Sequence, residues 1–191
     1  GDRPAYLARV DVHSAAASTA LRRRATKLAE VAGMHDQAPL TADAHHLARR
    51  AARDGLTAQQ RTNARRAALD AAAAAGIVAV HECAGPQIGG LDDWHELRAI
   101  EHGVEIVGYW GELVTNAEHA RQLIEVTKAR GLAGDLFVDG ALGSRTAWLH
   151  EPYADLPECC PTANGNSYLA ADAITAHLSA CTEAGVTAGF H

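Results

Sequence analysis

The chain has 191 residues, a formal net charge of −6, 48% hydrophobic residues and 21% charged residues. That is enough apolar material for one domain with a real core, and the acidic balance excludes the basic footprint a nucleic-acid partner needs. No apolar run approaches the ~20 residues of a membrane span, so the expected setting is cytoplasmic, with neither membrane nor nucleic acid as partner.

In chain order, Tyr6 to Val12 reads as a strand ending in Asp11-Val12-His13-Ser14. Residues 15–32 are Ala-rich and helix-prone, with Ser14 as the predicted N-cap. Gly33 to Pro39 breaks the pattern. Thr41 then opens a helix over 42–53, closed by Asp54-Gly55. Thr57 caps another over 58–75, which stops at Gly76. Residues 1–75 are thus a helical N-terminal part. The basic runs Arg22-Arg23-Arg24 and Arg65-Arg66 read as solvated helix faces.

From residue 76 a unit recurs: a helix ends at a glycine and an apolar strand follows at once. The predicted strands are 77–81, 104–110, 136–139 and 186–190, with helices near 91–102, 117–130 and 170–184 between them. Gly76, Gly103 and Gly131 recur every 27 or 28 residues, the length of one βα unit. Such alternation predicts parallel strands, neighbours in chain order, with outer helices. No G-x-G-x-x-G follows a strand, so a dinucleotide fold is not indicated. A full (β/α)₈ barrel takes about 250 residues. The expected fold class is therefore α/β, a partial TIM barrel, with 1–191 as a single domain and 76–191 as its βα repeats. The chain begins without Met and stops one residue after a strand-like run, so it reads as a fragment of a longer enzyme.

Strand ends are where such scaffolds collect chemistry. Period-2 geometry puts Asp135, Phe137 and Asp139 on one strand face, and two carboxylates there need a partner. Asp139 with Arg145 can position a substrate or form a structural ion pair; a charge-assisted contact of Arg145 with Asp139 or a backbone carbonyl is expected. Ser144 and Thr146 are expected to bond the loop backbone. His81 and Glu82 alternate faces, so only one points inward, and His81 is the candidate. His191 ends the last strand, where a neutral imidazole is a common zinc ligand.

The stretch Leu136-Phe137-Val138-Asp139-Gly140-Ala141-Leu142-Gly143-Ser144-Arg145-Thr146-Ala147 with the following Glu151-Pro152-Tyr153 resembles the signature of the family 3 amidohydrolases. These are YtcJ-like metal-dependent hydrolases related to N-substituted formamide deformylases. The resemblance implies a TIM-barrel enzyme that hydrolyses non-peptide C–N bonds, amide or N-formyl, with one or two divalent metals, Zn²⁺ first among them. It implies His191 as a metal ligand and places Asp135 where many members carry a Lys. Asp135 is then either a direct ligand or a strand-start acid paired elsewhere. It also implies His81, Asp139 and Arg145 as catalytic candidates. His13 falls in a segment like the family's Asp-Gly-His-Ser, beside the substrate, with Val12 in place of the Gly. Such a fragment lacks a His-x-His pair and is expected to be inactive alone, acting in the parent on a small amide-type substrate. Its exposed sheet edges make a homo-oligomer the expected state.

The alternatives are a non-catalytic amidohydrolase-like scaffold and, further off, an anion-binding α/β module. Cys83, Cys159, Cys160 and Cys181 lack C-x-x-C spacing; disulfides are not expected, and Cys83 reads as a packing residue. His35, His45, His46, His95, His102, His119, His150 and His177 read as surface residues. Trp94, Trp110 and Trp148 read as core or pocket wall.

Overall fold

The structure is a computed structural model that describes residues 2–155 and 164–191. The chain divides into two compact units: residues 1–58 with 139–166, and residues 59–138 with 167–191.

The first unit opens with an antiparallel hairpin. Strand β1 (Tyr6–Ala8) pairs with β2 (Ser14–Ala17), and β2 pairs with β3 (Leu40–Thr41). The predicted strand over Tyr6 to Val12 is thus cut at Ala8. The chain turns at Arg9, closed by Val12 N–H to Arg9 O at 2.9 Å and Arg9 N–H to Ser14 O at 2.9 Å. Ser14 lies in β2 rather than capping a helix. The cap is Ser18, whose hydroxyl accepts from Leu21 N–H at the start of α1 (Thr19–Arg24). The long predicted helix is broken at Ala25, and only a 3₁₀ turn follows at Leu28–Glu30. Alanine-rich sequence favours helix, but pairing of β2 with both neighbours overrides propensity here.

Helix α2 (Ala42–Asp54) ends at Gly55, as read from the sequence. Its Ala44 and Ala48 close a core with Ala25, Leu28 and Leu40. Arg22 is no solvated side chain: it donates to Ala17 O at 3.2 Å and His35 O at 2.7 Å.

The second unit is the βα repeat. Helix α3 (Ala58–Ala74) leads to β4 (Ala79–Ala84), α4 (Gly90–Arg98), β5 (Glu105–Trp110), α5 (Ala117–Thr127), β6 (Gly131–Leu132), α6 (Ala171–Ala184) and β7 (Thr187–Ala188). The sheet order is β4-β5-β6-β7 and every pairing is parallel. Parallel neighbours in chain order, joined by helices, are the arrangement of a partial (β/α)₈ barrel. The helix–glycine–strand punctuation is explicit at Gly185, which caps α6 at φ 70°.

The third strand differs from its prediction. The ladder is at Gly131–Leu132, and 136–139 is irregular, so strict period-2 alternation does not govern Asp135, Phe137 and Asp139. Gly131 is flanked by Tyr109 and Thr187, and a Cβ there would meet the Thr187 backbone. The close strand approach therefore occurs at the glycine rather than at the bulky run that follows.

The sheet has two distinct faces. Val80 and Ile106 pack with Leu69, Ile100 and Val104, while Ala84, Trp110 and Leu132 pack with Trp94, Val114, Ala120 and Ala180. Alternation turns His81, Cys83, Val107 and Tyr109 to the other face. Arg65 lies against α4, donating to Glu96 at 2.8 Å and also to Asp93. This corrects its reading as a solvated residue.

Among the described residues no helix is long and apolar enough to cross a membrane. Cys83 and Cys181 are free thiols, Cys83 exposed rather than packed; Cys159 and Cys160 lie outside the described residues.

Candidate functional site

Three sequence-derived candidates, His13, Asp139 and Arg145, belong to the first unit. The other three, His81, Asp135 and His191, belong to the second.

In the first unit the signature loop is drawn closed on itself. Gly140 N–H donates to Thr146 O at 3.1 Å and Thr146 N–H to Ala141 O at 3.1 Å. The Thr146 hydroxyl accepts from Ala141 N–H at 3.0 Å, as expected of a loop-bonding Thr. A Cβ on Gly140 would overlap Thr146, so only glycine permits this pinch. Asp139 then accepts from Trp148 N–H at 2.8 Å.

Arg145 does not contact Asp139. Its Nε donates to Asp155 Oδ1 at 2.8 Å and its terminal nitrogen pairs with Asp155 Oδ2. The hydrogen bond that Arg145 donates to Asp155, then the carboxylate's charge, raises the Arg145 pKa, and Arg145 in turn lowers that of Asp155. Arg145 sits at φ 56° after the 3₁₀ turn Leu142–Ser144, and from that position its guanidinium meets Asp155. The expected strand-end pair is thereby replaced by a loop–loop pair.

Ser144 leaves the loop altogether. Its Oγ donates to Asp11 Oδ2 at 2.8 Å and lies 3.5 Å from the Ser14 hydroxyl. The other Asp11 oxygen accepts His13 N–H at 3.2 Å, and Arg9 lies 3.3 Å from the carboxylate. Partial burial pushes the Asp11 pKa up, but the Ser144 and His13 hydrogen bonds and the Arg9 charge together hold it below the usual carboxylate value. The signature loop and the Asp-Val-His-Ser turn, 130 residues apart in Ser14 and Ser144, therefore form one polar cluster. Sequence reasoning singled out both segments but missed that they meet, because nothing in local spacing reports a contact of that range.

Val12 turns this hairpin at φ 59°. A β-branched residue is an outlier in that region, so the valine holds the conformation glycine would adopt freely.

In the second unit His191 is fixed by backbone geometry. His191 N–H donates to Leu136 O at 2.8 Å and Val138 N–H donates to His191 O at 2.9 Å. Its ring meets that of Phe137 edge-on, 5.2 Å between centroids. Of the strand predicted over 136–139, one parallel residue pair remains beyond the regular ladder. His81 is exposed on the face turned from the helices and stacks on Tyr109 at 5.7 Å. It is not a core histidine. Cys83, next on that face, has its thiol pKa raised by desolvation from the surrounding protein and by the charges of Asp135 and Glu82, so it is no activated thiolate.

Two histidines read as surface residues are buried instead. His177 in α6 is 0% exposed. Its Nδ1 accepts Val114 N–H at 3.2 Å and its Nε2–H donates to Leu132 O at 3.0 Å. His45 in α2 accepts the Tyr6 hydroxyl at 2.6 Å. The signal was present: Ile174, His177, Cys181 and Ala184 recur at helical core spacing.

Among the described residues no three His, Cys, Asp or Glu side chains converge to hold a metal ion. A catalytic zinc ion needs about three protein ligands, so the described donors do not by themselves fit one.

The model of the amidohydrolase family matches residues 1–191. The chain belongs to the amidohydrolase family. Among solved structures it is similar to an uncharacterized metal-dependent hydrolase from Pyrococcus horikoshii OT3, with 20% identity, TM-score 0.62, all of this chain and 39% of that one covered. It is also similar to an uncharacterized metal-dependent hydrolase from Pyrococcus furiosus, with 23% identity, TM-score 0.62, all of this chain and 41% of that one covered. This amidohydrolase chain thus spans about two fifths of each neighbour's length. A comparison with curated proteins finds no match. The parallel βα order and the family match agree on an amidohydrolase scaffold, and the likeness to the two archaeal structures supports the fold.

Proposed function

We propose that this amidohydrolase segment serves the hydrolysis of a non-peptide C–N bond, amide or N-formyl, in a longer protein. The observation that supports the reading is the parallel pair of His191 with the 136–138 segment, the segment that directly follows Asp135, the second proposed ligand. His81 on the open sheet face and His13, Asp139 and Arg145 in the first unit are the further candidates. Zn²⁺ is the metal proposed for the parent, with the missing ligands supplied from outside this segment. The chain alone is then inactive. Its setting is proposed to be cytoplasmic, and the outer edge of β4, preceded by Val78 at 79% exposure, suits pairing with a second copy.

The test is zinc content and turnover. The longer protein should retain zinc after dialysis and hydrolyse N-formyl or N-acyl amides, and His191→Ala should lower both. The 191-residue chain with added Zn²⁺ should show no saturable turnover. Undiminished zinc and activity in His191→Ala would remove the basis of the reading. A second reading, a non-catalytic scaffold, predicts no zinc at fixed stoichiometry in either protein.

A further inference from the structure

The break after α1 opens a cleft in the first unit. The chain leaves the helix at Ala25, and Lys27 takes φ 63° before the 3₁₀ turn Leu28–Glu30. The hollow between the helix and this turn measures about 400 Å³, within the roughly 300–1,000 Å³ of small-molecule sites. Leu28 and Met34 give it apolar wall, and Thr19 and Thr26 add hydroxyls. Its charged members are Arg22, Arg23 and Lys27 against the single carboxylate of Glu30. A second cleft of about 300 Å³ adjoins it across Ala25 and Thr26 and brings Arg24 and Arg50 against Asp54.

A cationic excess here runs against the whole chain, whose net charge is −6. Carboxylates are in the majority, yet the side chains of Arg23, Arg24 and Lys27 have no ion-pair or hydrogen-bond partner among the described residues. One solvated cation needs none, but several around one hollow repel each other, and an anion seated among them relieves that repulsion. Arg22 is already fixed in place. It donates to Ala17 O at 3.2 Å and His35 O at 2.7 Å, and its Nη1 lies 3.7 Å from Met34 Sδ. A guanidinium carries five N–H donors, so the rest are set before any ligand arrives. The geometry points to a binding site for a small phosphate monoester in the larger cleft. The charges match: three cations less one carboxylate face a group carrying about −1.5 to −2 at pH 7. The arginines suit the paired oxygens of a phosphate and Lys27 acts as a point charge, while Leu28 and Met34 offer the carbon body of the ester an apolar contact.

The inference stands independently of the C–N hydrolase reading and is tested by binding alone. Calorimetric titration of the 191-residue chain with phenyl phosphate, at about 0.15 M salt to screen unspecific attraction, should show one saturable site. Benzenesulfonate, of like shape but with one negative charge, should bind about ten-fold more weakly. Arg23→Gln and Lys27→Gln each remove an exposed cation and leave the core intact, so the thermal midpoint should hold while affinity falls about ten-fold. Arg130→Gln, the same charge change at an exposed position of the second unit, should leave affinity unaltered. The inference is overturned by no saturable binding at about ten millimolar, by equal binding of benzenesulfonate, by undiminished affinity in Arg23→Gln and Lys27→Gln, or by equal weakening in Arg130→Gln. Retention on phosphatidic acid vesicles without any binding of phenyl phosphate would also overturn it, because the basic surface would then be a membrane contact.

Discussion

His191 and Phe137 lie opposite one another as a parallel residue pair, joined through His191 N–H to Leu136 O at 2.8 Å and Val138 N–H to His191 O at 2.9 Å. The backbone closes the pair with two hydrogen bonds, and the rings of His191 and Phe137 meet edge-on across it at 5.2 Å. His191→Ala keeps both backbone hydrogen bonds and should remove a candidate ligand, while His191→Phe, which keeps the ring contact, separates loss of the imidazole from loss of packing in any effect on zinc content. Other positions, whose side chains do hold the fold, give sharper stability predictions.

Gly108→Ala should destabilise the second unit. The added methyl would overlap the Trp94 ring, and Trp94 cannot give way because its Nε1–H donates to Thr127 O at 2.8 Å. Overpacking of this kind costs about 3 kcal/mol. Urea unfolding would measure it, and Trp94→Phe combined with Gly108→Ala should cost less than the sum of the two. Additive losses would show that the ring is not the obstacle.

His177→Ala should cost about 3 kcal/mol, because Val114 N–H and Leu132 O each lose a buried partner. Amide exchange at Val114 should accelerate along with the loss. A loss below about 1 kcal/mol, within the range of a surface change, would contradict the geometry.

Stability should fall on acidification through the first unit. Burial, followed by the charge of His46, lowers the His45 pKa to about 4, and burial with Arg49 does the same for His46. Both folded values lie below the unfolded ~6.5. Between those values the unfolded chain binds more protons, so stability is full above about pH 6.5 and is lost as pH falls toward 4. Each imidazole sets a ceiling of about 3 kcal/mol, and the pair is coupled, so the effects do not simply add. Protonation at His45 Nε2 would reverse the contact with Tyr6, the ring N–H then donating to the phenolic oxygen. Urea midpoints at pH 7, 6 and 5 should decline in the wild type and decline less in His45→Gln. Parallel slopes would place the acid sensitivity elsewhere.

Val12→Gly should stabilise the protein by about 1 kcal/mol. Valine at φ 59° carries strain of about 1–3 kcal/mol, partly offset by the greater unfolded-state freedom of glycine. The side chain is half exposed and packs into no core cluster. Thermal unfolding decides it, and a lowered midpoint would mean that Val12 makes contacts worth more than its strain.

The order of the βα units was legible because it is written locally. A glycine after a helix and an apolar run after the glycine require only the nearest few residues, and α2, β5, α5 and α6 fall close to where that pattern puts them. The signature loop was legible for the same reason: Gly140 and Thr146 specify its closure within seven residues. The N-terminal hairpin was not. Ala15 to Ala17 prefer helix by propensity, and only pairing with β1 and with β3, 25 residues onward, makes them a strand.

Sequence alone determined the parallel scaffold, its chain-order topology and the stretch that carries the family. Tertiary structure decided which charged groups meet. Arg145 found Asp155 instead of Asp139, Ser144 found Asp11, and His45 and His177 went inside. The physical reason is that secondary structure follows from interactions a few residues apart. The partner of a polar side chain, by contrast, is set by which segment the fold delivers to it, and a buried histidine is stable only where the fold brings it a donor or acceptor.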